Sequence, residues 1–262
     1  MTAKNYLITG RSENYLLHEL RSALKTASDI EIAVSFIRSS GLNLLFQDIE
    51  DAMHSEERNV TLSLLTSDYM NVTEPQDLTQ LMLLQERGAD IRIFASKQAT
   101  SFHLKSYIFV RNSDEGMKSA SAFIGSSNIS KTALTDGIEW NYRIDYPNEK
   151  DTEAVARIQQ IRDEYNHLFK LDQVQSLSYE WIKEYEIRYN AARKVTPLYS
   201  SVSLPDEAEH EVPSPKEHQA AALQALNQAR ETGTVKGLVV LATGMGKTYL
   251  AAFDVAQFDA KK

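Results

Sequence analysis

Two short runs of this sequence carry side chains that can handle a phosphodiester. In His103-Leu104-Lys105 an imidazole and an ammonium stand two residues apart. On a β-strand that spacing projects both from one face and turns Leu104 to the other. Gly125-Ser126-Ser127-Asn128 closes the next strand-like run. There glycine permits a close backbone approach, while the hydroxyls and the amide supply donors. If the two runs pair as a hairpin, their ends meet in one site. Phosphate oxygens need positive charge and donors, and an imidazole can attack phosphorus or protonate a leaving oxygen. No acidic cluster suited to a metal accompanies these residues.

Together the two runs resemble the phospholipase D superfamily, whose signature is H-x-K followed by G-S-x-x-N or a variant. The resemblance covers about residues 1–175. It implies a phospholipase D-like α/β fold, a mixed β-sheet flanked by helices. It also implies that His103 and Lys105 are the motif pair, and that Ser126 and Asn128 are the phosphate-contacting serine and asparagine. Glu139 stands near the place where an acidic residue orients the motif histidine in bacterial nucleases of this kind. The family's aspartate falls on Val110, a departure that points away from lipid-cleaving members and toward the nuclease-like branch.

Family members use two motif copies, one histidine as nucleophile and the other as acid. His18, His54, His167, His210 and His218 all lack a lysine two residues on. The resemblance therefore implies a homodimer, with two copies of His103 sharing one site across a twofold axis and titrating as a coupled pair. The implied activity is metal-independent cleavage of nucleic acid, DNA in preference to RNA, through a phosphohistidine and without a cofactor. The alternative is an inactive nucleic-acid-binding or dimerisation module.

A second constellation lies near the end of the sequence. The apolar run Leu238-Val239-Val240-Leu241 leads into Ala242-Thr243-Gly244-Met245-Gly246-Lys247-Thr248 and then a helix-forming stretch. A strand, a glycine-rich turn, Lys-Thr and a helix N-terminus are what a phosphate-binding loop requires. The run resembles motif I of superfamily-two helicases of DEAD/DEAH type. Upstream, Pro215-Lys216-Glu217-His218-Gln219 resembles their Q motif. The resemblance implies that Gln219 contacts adenine, that Thr243, Gly244, Gly246 and Lys247 hold the ATP phosphates, and that Thr248 holds Mg²⁺. It covers residues 213–262 only, and no Asp-Glu-x-His motif follows. The expectation is the first strand–P-loop–helix of a RecA-like lobe. This fragment is not expected to be an active ATPase, whereas the complete helicase would use ATP and Mg²⁺.

The elements that must position these groups follow from periodicity. Helical spacing marks residues 13–27, 41–53 and 77–87, the last stopped by Gly88. Strand patterns mark 29–36, 59–66 and 91–95, and further runs at 103–111, 119–124 and 139–145 carry the motifs. Asn112 to Gly116 is a turn that pairs the first two of these motif runs. Helices are expected over 151–171 and 177–194, then 216–230 and 249–257, with a strand over 237–242. The expected domains are 1–175, a helical and flexible linker 176–212, and 213–262.

The stripe Tyr179, Trp181, Tyr185 and Tyr189 is read as packing and His167 as structural. Arg92, Lys97 and Lys131 are candidates for added positive charge near the cleft. Ser35, Thr66 and Ser67 either line its mouth or end their strands.

The chain has 262 residues, 42% hydrophobic and 24% charged, with no Cys. Disulfide frameworks, thiolate zinc sites and cysteine nucleophiles are thereby excluded. A net charge of −8 excludes a generally basic nucleic-acid coat but not a focused basic cleft. No apolar run is long enough to cross a bilayer. A cytoplasmic protein without membrane partners is expected.

Overall fold

The computed structural model describes residues 6–11, 14–56, 58–95, 101–146, 152–195, 215–234, 236–241 and 247–257. The chain divides into two units, Met1–Asp206 and Glu207–Lys262.

The first unit is built on an eight-stranded sheet in the order β1-β7-β6-β5-β2-β3-β4-β8. β2 (Asp29–Val34), β3 (Thr61–Ser67) and β4 (Asp90–Phe94) run parallel. They are joined through α2 (Ser39–Met53) and α3 (Pro75–Glu86). β5 (Lys105–Ser113) lies antiparallel beside β2, and β6 (Gly116–Gly125) and β7 (Asn141–Tyr146) continue as an antiparallel meander. The β5–β6 hairpin turns on Asp114 and Glu115, with Gly116 at φ +119°, a conformation glycine adopts freely.

Side-chain alternation divides the core into two layers. Ile30, Ile32, Val34, Tyr107, Phe109 and Phe123 point to one face of the sheet. There they meet α1 (Leu16–Leu24), α2, α3 and α6 (Tyr179–Val195) through Leu20, Leu45, Leu81 and Tyr185. Ala33, Ile108, Val110 and Ala122 point to the other face, under α5 (Thr152–Phe169), whose Ala154, Ile158, Tyr165 and Phe169 cover them.

The polar–apolar alternation that marks β2 as a strand runs through a segment covered on both faces. Glu31, on the α5 side, is buried and accepts from Arg162 at 2.6 and 3.0 Å. Asp29 shares the same guanidinium. A carboxylate can occupy that layer because a cation on the covering helix offsets its lost hydration.

Several expectations change. β1 (Leu7–Ile8), β8 (Val174–Ser176) and the one-turn α4 (Lys131–Leu134) are elements the sequence pattern did not mark. Helix α6, read as part of the linker, buries Trp181, Ile182, Tyr185 and Tyr189 in the first layer and so belongs to the first unit. The packing role of the aromatic stripe holds for these three rings, while Tyr179 stays exposed.

In the second unit, α7 (Glu217–Glu231) and α8 (Lys247–Gln257) form as expected, tied by a two-pronged Arg230–Asp254 pair at 2.6 and 2.8 Å. The strand expected over 237–242 is not formed by its described residues, 237–241. Leu238 is 89% and Val240 82% exposed. An extended segment becomes a strand only through a ladder partner, and none occurs among the described residues.

Candidate active site

The C-terminal ends of β2, β3, β4 and β6 lie along one edge of the sheet, together with the start of β5. The carboxyl ends of parallel strands are where α/β sheets bind ligands. His103 sits two residues before the first residue of β5, slightly earlier than the strand pattern placed it. Its relation to Lys105 is nonetheless the one expected. The Lys105 ammonium lies 2.9 Å from Nδ1 and 3.0 Å from Nε2 of the imidazole, and 3.2 Å from the His103 carbonyl. Leu104 turns the other way, against the layer under α5. Desolvation, and then the neighbouring Lys105 charge, hold the His103 imidazole below its ordinary range. Both effects disfavour imidazolium.

Ser106 pairs with Ile124, so the antiparallel register carries Lys105 alongside Gly125 and the Ser-Ser-Asn run. Gly125 is needed there, because a Cβ would overlap the Trp140 carbonyl oxygen and the Asn141 backbone. Ser126 Oγ donates to the Glu139 carboxylate and accepts from Trp140 N at 3.1 Å. Within one chain Glu139 therefore meets the serine rather than His103. The backbone ties between Ser126 and Trp140 bring Glu139 to the serine, and the causes acting on His103 are burial and Lys105.

Ser127 is buried and structural, donating to Ala133 O and accepting from Asn141 Nδ2. Burial pushes the Tyr107 phenol up, so it remains a donor, and it bonds the Ser127 carbonyl at 3.0 Å. Asn128 is buried, and its Oδ1 accepts from Phe36 N at 3.1 Å. With the oxygen engaged, the amide N–H groups are what Asn128 has left to offer. Val110 is fully buried in the α5-side layer, opposite in parity to Lys105.

The added charges fare differently. Arg92 is committed to Asp90 and lies over the Phe169 ring at 4.3 Å, so it is not a cleft group. Lys97 falls outside the described residues, and Lys131 is exposed at the first position of α4. Ser35 and Ser67 end their strands by tying them, Ser67 Oγ to Ser35 O at 2.7 Å and Ser35 Oγ to Leu104 O at 3.3 Å. Tyr69 was missed by the sequence reading, yet its ring meets the His103 imidazole edge-on, centroids 6.1 Å apart. The one available signal was its place just beyond the end of a parallel strand.

In the second unit, Thr243, Gly244 and Gly246 lie outside the described residues, as does the Thr248 side chain. Lys247 Nζ donates to Leu241 O at 3.0 Å. Gln219 is buried, and its Oε1 accepts from Lys216 N at 3.0 Å, a capping bond at the start of α7.

A mixed sheet whose strand ends carry imidazole, ammonium, hydroxyl and carboxamide groups at one edge defines an α/β class with a polar, cationic site. Residues 16–168 match the family described as cardiolipin synthase, PLD-like domain. The chain belongs to this phospholipase D-like domain family. Residues 213–262 match the res subunit of type III restriction enzymes, on the stretch whose motifs resemble a helicase.

Among solved structures, NucT from Helicobacter pylori is 19% identical over 63% of this chain and 91% of its own, with a TM-score of 0.43. Nuc from Salmonella typhimurium, a phospholipase D family member, is 17% identical over 61% and 88%, with a TM-score of 0.40. Polyphosphate kinase from Porphyromonas gingivalis is 19% identical over 61% of this chain and 26% of its own, with a TM-score of 0.42. No curated protein matches the chain.

Proposed function

We propose that the first unit is a nuclease that hydrolyses phosphodiesters of DNA or RNA without a metal, and that it works as a homodimer. The observation that carries this reading is the Lys105 ammonium held about 3 Å from both ring nitrogens of His103 at the sheet edge. An imidazole kept neutral near pH 7 is a competent nucleophile, and the ammonium beside it can compensate charge developing on phosphate oxygens.

In the proposed reaction, one neutral His103 nitrogen bonds to phosphorus as the P–O bond to the leaving nucleoside breaks. The leaving oxygen takes a proton from His103 of the partner subunit. That imidazole, now neutral, then takes a proton from water as its oxygen attacks the phosphohistidine and frees the first imidazole. Asn128 donates to the non-bridging oxygens, and Ser126 joins it by turning its one hydroxyl proton from the Glu139 carboxylate to the phosphate.

The case for a second copy rests on the surface beside the site. Trp140 is 64% and Tyr142 55% exposed, and Ile138 and Ile124 flank them. Trp140 is itself hydrogen-bonded to Ser126. Exposed apolar groups gathered at one place favour an interface, and a pairing there would bring two sites together.

The second unit is proposed to belong to an ATP-dependent helicase. Its Lys247 and Thr248 would hold the ATP phosphates and Mg²⁺.

The test incubates wild type and His103→Ala with single- and double-stranded DNA and with RNA in EDTA, alongside sedimentation of the same samples. Wild type is expected to cleave as a dimer, and His103→Ala to remain dimeric with a loss of at least a hundredfold. Equal cleavage by both proteins, or full inhibition by EDTA, would overturn the mechanism. Tight binding with no cleavage would favour the inactive binding module.

A further inference from the structure

The loop that follows β3 reaches the imidazole, and it is held from behind by α6. Tyr69 presents its ring edge to His103. Met70 and Asn71, the next two residues, have left-handed backbone with φ of 51° and 53°; Asn tolerates that region, but an apolar side chain such as that of Met70 adopts it when its surroundings enforce it. The enforcement is visible on both sides of them. Before them, the Asp68 carboxylate is buried and pairs with Arg188 of α6 at 3.1 Å. The guanidinium lies 5.6 and 5.4 Å from the Trp181 and Tyr185 ring centroids. After them, Tyr185 Oη donates to the Thr73 carbonyl at 2.7 Å.

Hydroxyl bonds then run from this loop to the site strands. Tyr69 N donates to Ser67 Oγ, Ser67 Oγ to Ser35 O, and Ser35 Oγ to the carbonyl of Leu104, the residue after His103. Ile37 N donates to Thr73 Oγ1, one residue beyond the Phe36 N–H that fixes Asn128. Two side chains of α6 therefore brace one loop, and the loop touches the site both through a ring and through the backbone of its strands.

We propose that Arg188 and Tyr185 of α6, acting through the Asp68–Thr73 loop and Tyr69, are positioning residues that set the orientation of the His103 imidazole. This rests on the reading of His103 as the reacting group. An imidazole that must aim at phosphorus loses rate steeply when misplaced, up to about a hundredfold for an ångström. Substrate affinity, set by the phosphate donors, should be little changed. Arg188 is the informative position because its side chain is 53% exposed and can be shortened without opening the core.

The test uses the full chain with bis(p-nitrophenyl) phosphate in EDTA, comparing wild type, Arg188→Ala, Arg188→Lys and Tyr69→Ala. The same proteins are followed by the His103 imidazole proton resonances, which the nearby Tyr69 ring shifts. Arg188→Ala and Tyr69→Ala should each lower kcat about tenfold or more, with KM within about twofold. Both should move the His103 resonances. Arg188→Lys, which can still pair with Asp68, should restore rate and resonance. Unchanged kcat and resonances in Arg188→Ala, a loss confined to KM, or no rescue by lysine would each overturn the proposal. If wild type and His103→Ala are equally inert, the nuclease reading falls. The resonances then decide the positioning claim alone, and it fails if Arg188→Ala leaves them in place.

Discussion

An imidazole that shares its edge with an ammonium gives up its proton more readily than a free one, and at His103 loss of hydration adds to the repulsion. Burial is the larger cause and Lys105 the smaller. Within one subunit these causes hold His103 below 6.5, its ordinary value, and in the proposed dimer they favour the neutral copy that attacks, while the acid copy is the one that keeps its proton. Lys105→Met removes the repulsion and leaves the burial, so its His103 midpoint should rise only part of the way back. A proton NMR titration of the ring resonances reads both midpoints. A wild-type midpoint at or above the ordinary value, or one that lysine removal leaves fixed, would contradict this electrostatic account. His103 and Lys105 were legible because residues two apart in the chain need only local backbone geometry to meet. Tyr69 and Arg188 were not, because they reach the imidazole through a left-handed loop and a helix distant in sequence. Glu139 was read as a partner for the histidine, and within one chain it meets Ser126, because the bonds from Ser126 N to Trp140 O and from Trp140 N to Ser126 Oγ set the approach of those segments.

Helices α2 and α3 start side by side, and one carboxylate serves both starts. Asp77, at the third position of α3, reaches back to Glu74 N at 3.0 Å and across to Ser39 N at 2.9 Å and the Ser39 hydroxyl. The positive ends of two helix dipoles favour an anion there. Burial nonetheless outweighs the lowering hydrogen bonds and raises the Asp77 pKa. A folded pKa raised above the unfolded value gives stability that is fully present below the unfolded pKa and is lost as pH rises through the folded one. Asp77 therefore works at neutral pH as a costly ion whose bonds must be kept. Asp77→Ala should destabilise the unit by about 2–3 kcal/mol, the effect of stranding two backbone donors that had a charged acceptor. Asp77→Asn, which retains one carbonyl oxygen, should lose less. Urea unfolding checks both, and equal losses would show that the shared acceptor is not what joins the helices. The α3 boundaries were legible from Pro75 and Gly88, residues whose backbone chemistry starts and stops a helix. β1, β8 and α4 are two to four residues long, too short for any period to show; β1 and β8 exist because strands distant in sequence complete their hydrogen bonds, and α4 closes on its Ser130 cap. The reverse holds for residues 237–241, where an apolar run has the composition of a strand but no ladder.

The extent of the first unit follows from which side chains its core requires. The family resemblance ran to about residue 175, so the helix after it was read as part of the linker. The packing says otherwise. Leu177, Trp181, Ile182, Tyr185 and Tyr189 are buried in the same layer as Leu45, Leu78 and Leu81. At about 2 kcal/mol for each large apolar side chain removed from water, the five together supply on the order of 10 kcal/mol. That sum matches the whole of the ~5–15 kcal/mol by which a domain outlasts its unfolded state. A chain ending at residue 206, where the contact pattern divides the molecule, should therefore melt in one cooperative transition. A chain ending at residue 176 keeps every strand and both motif runs, yet it should show no sharp transition and should bind a hydrophobic dye. The two truncations compared by calorimetry settle the matter, since a cooperative melt of the shorter chain at the midpoint of the longer one would mean that α6 only lies against the fold. If α6 is instead part of the core, the site edge it braces and the stability of the sheet depend on one helix. Weakening that helix should then lower turnover before it unfolds the protein.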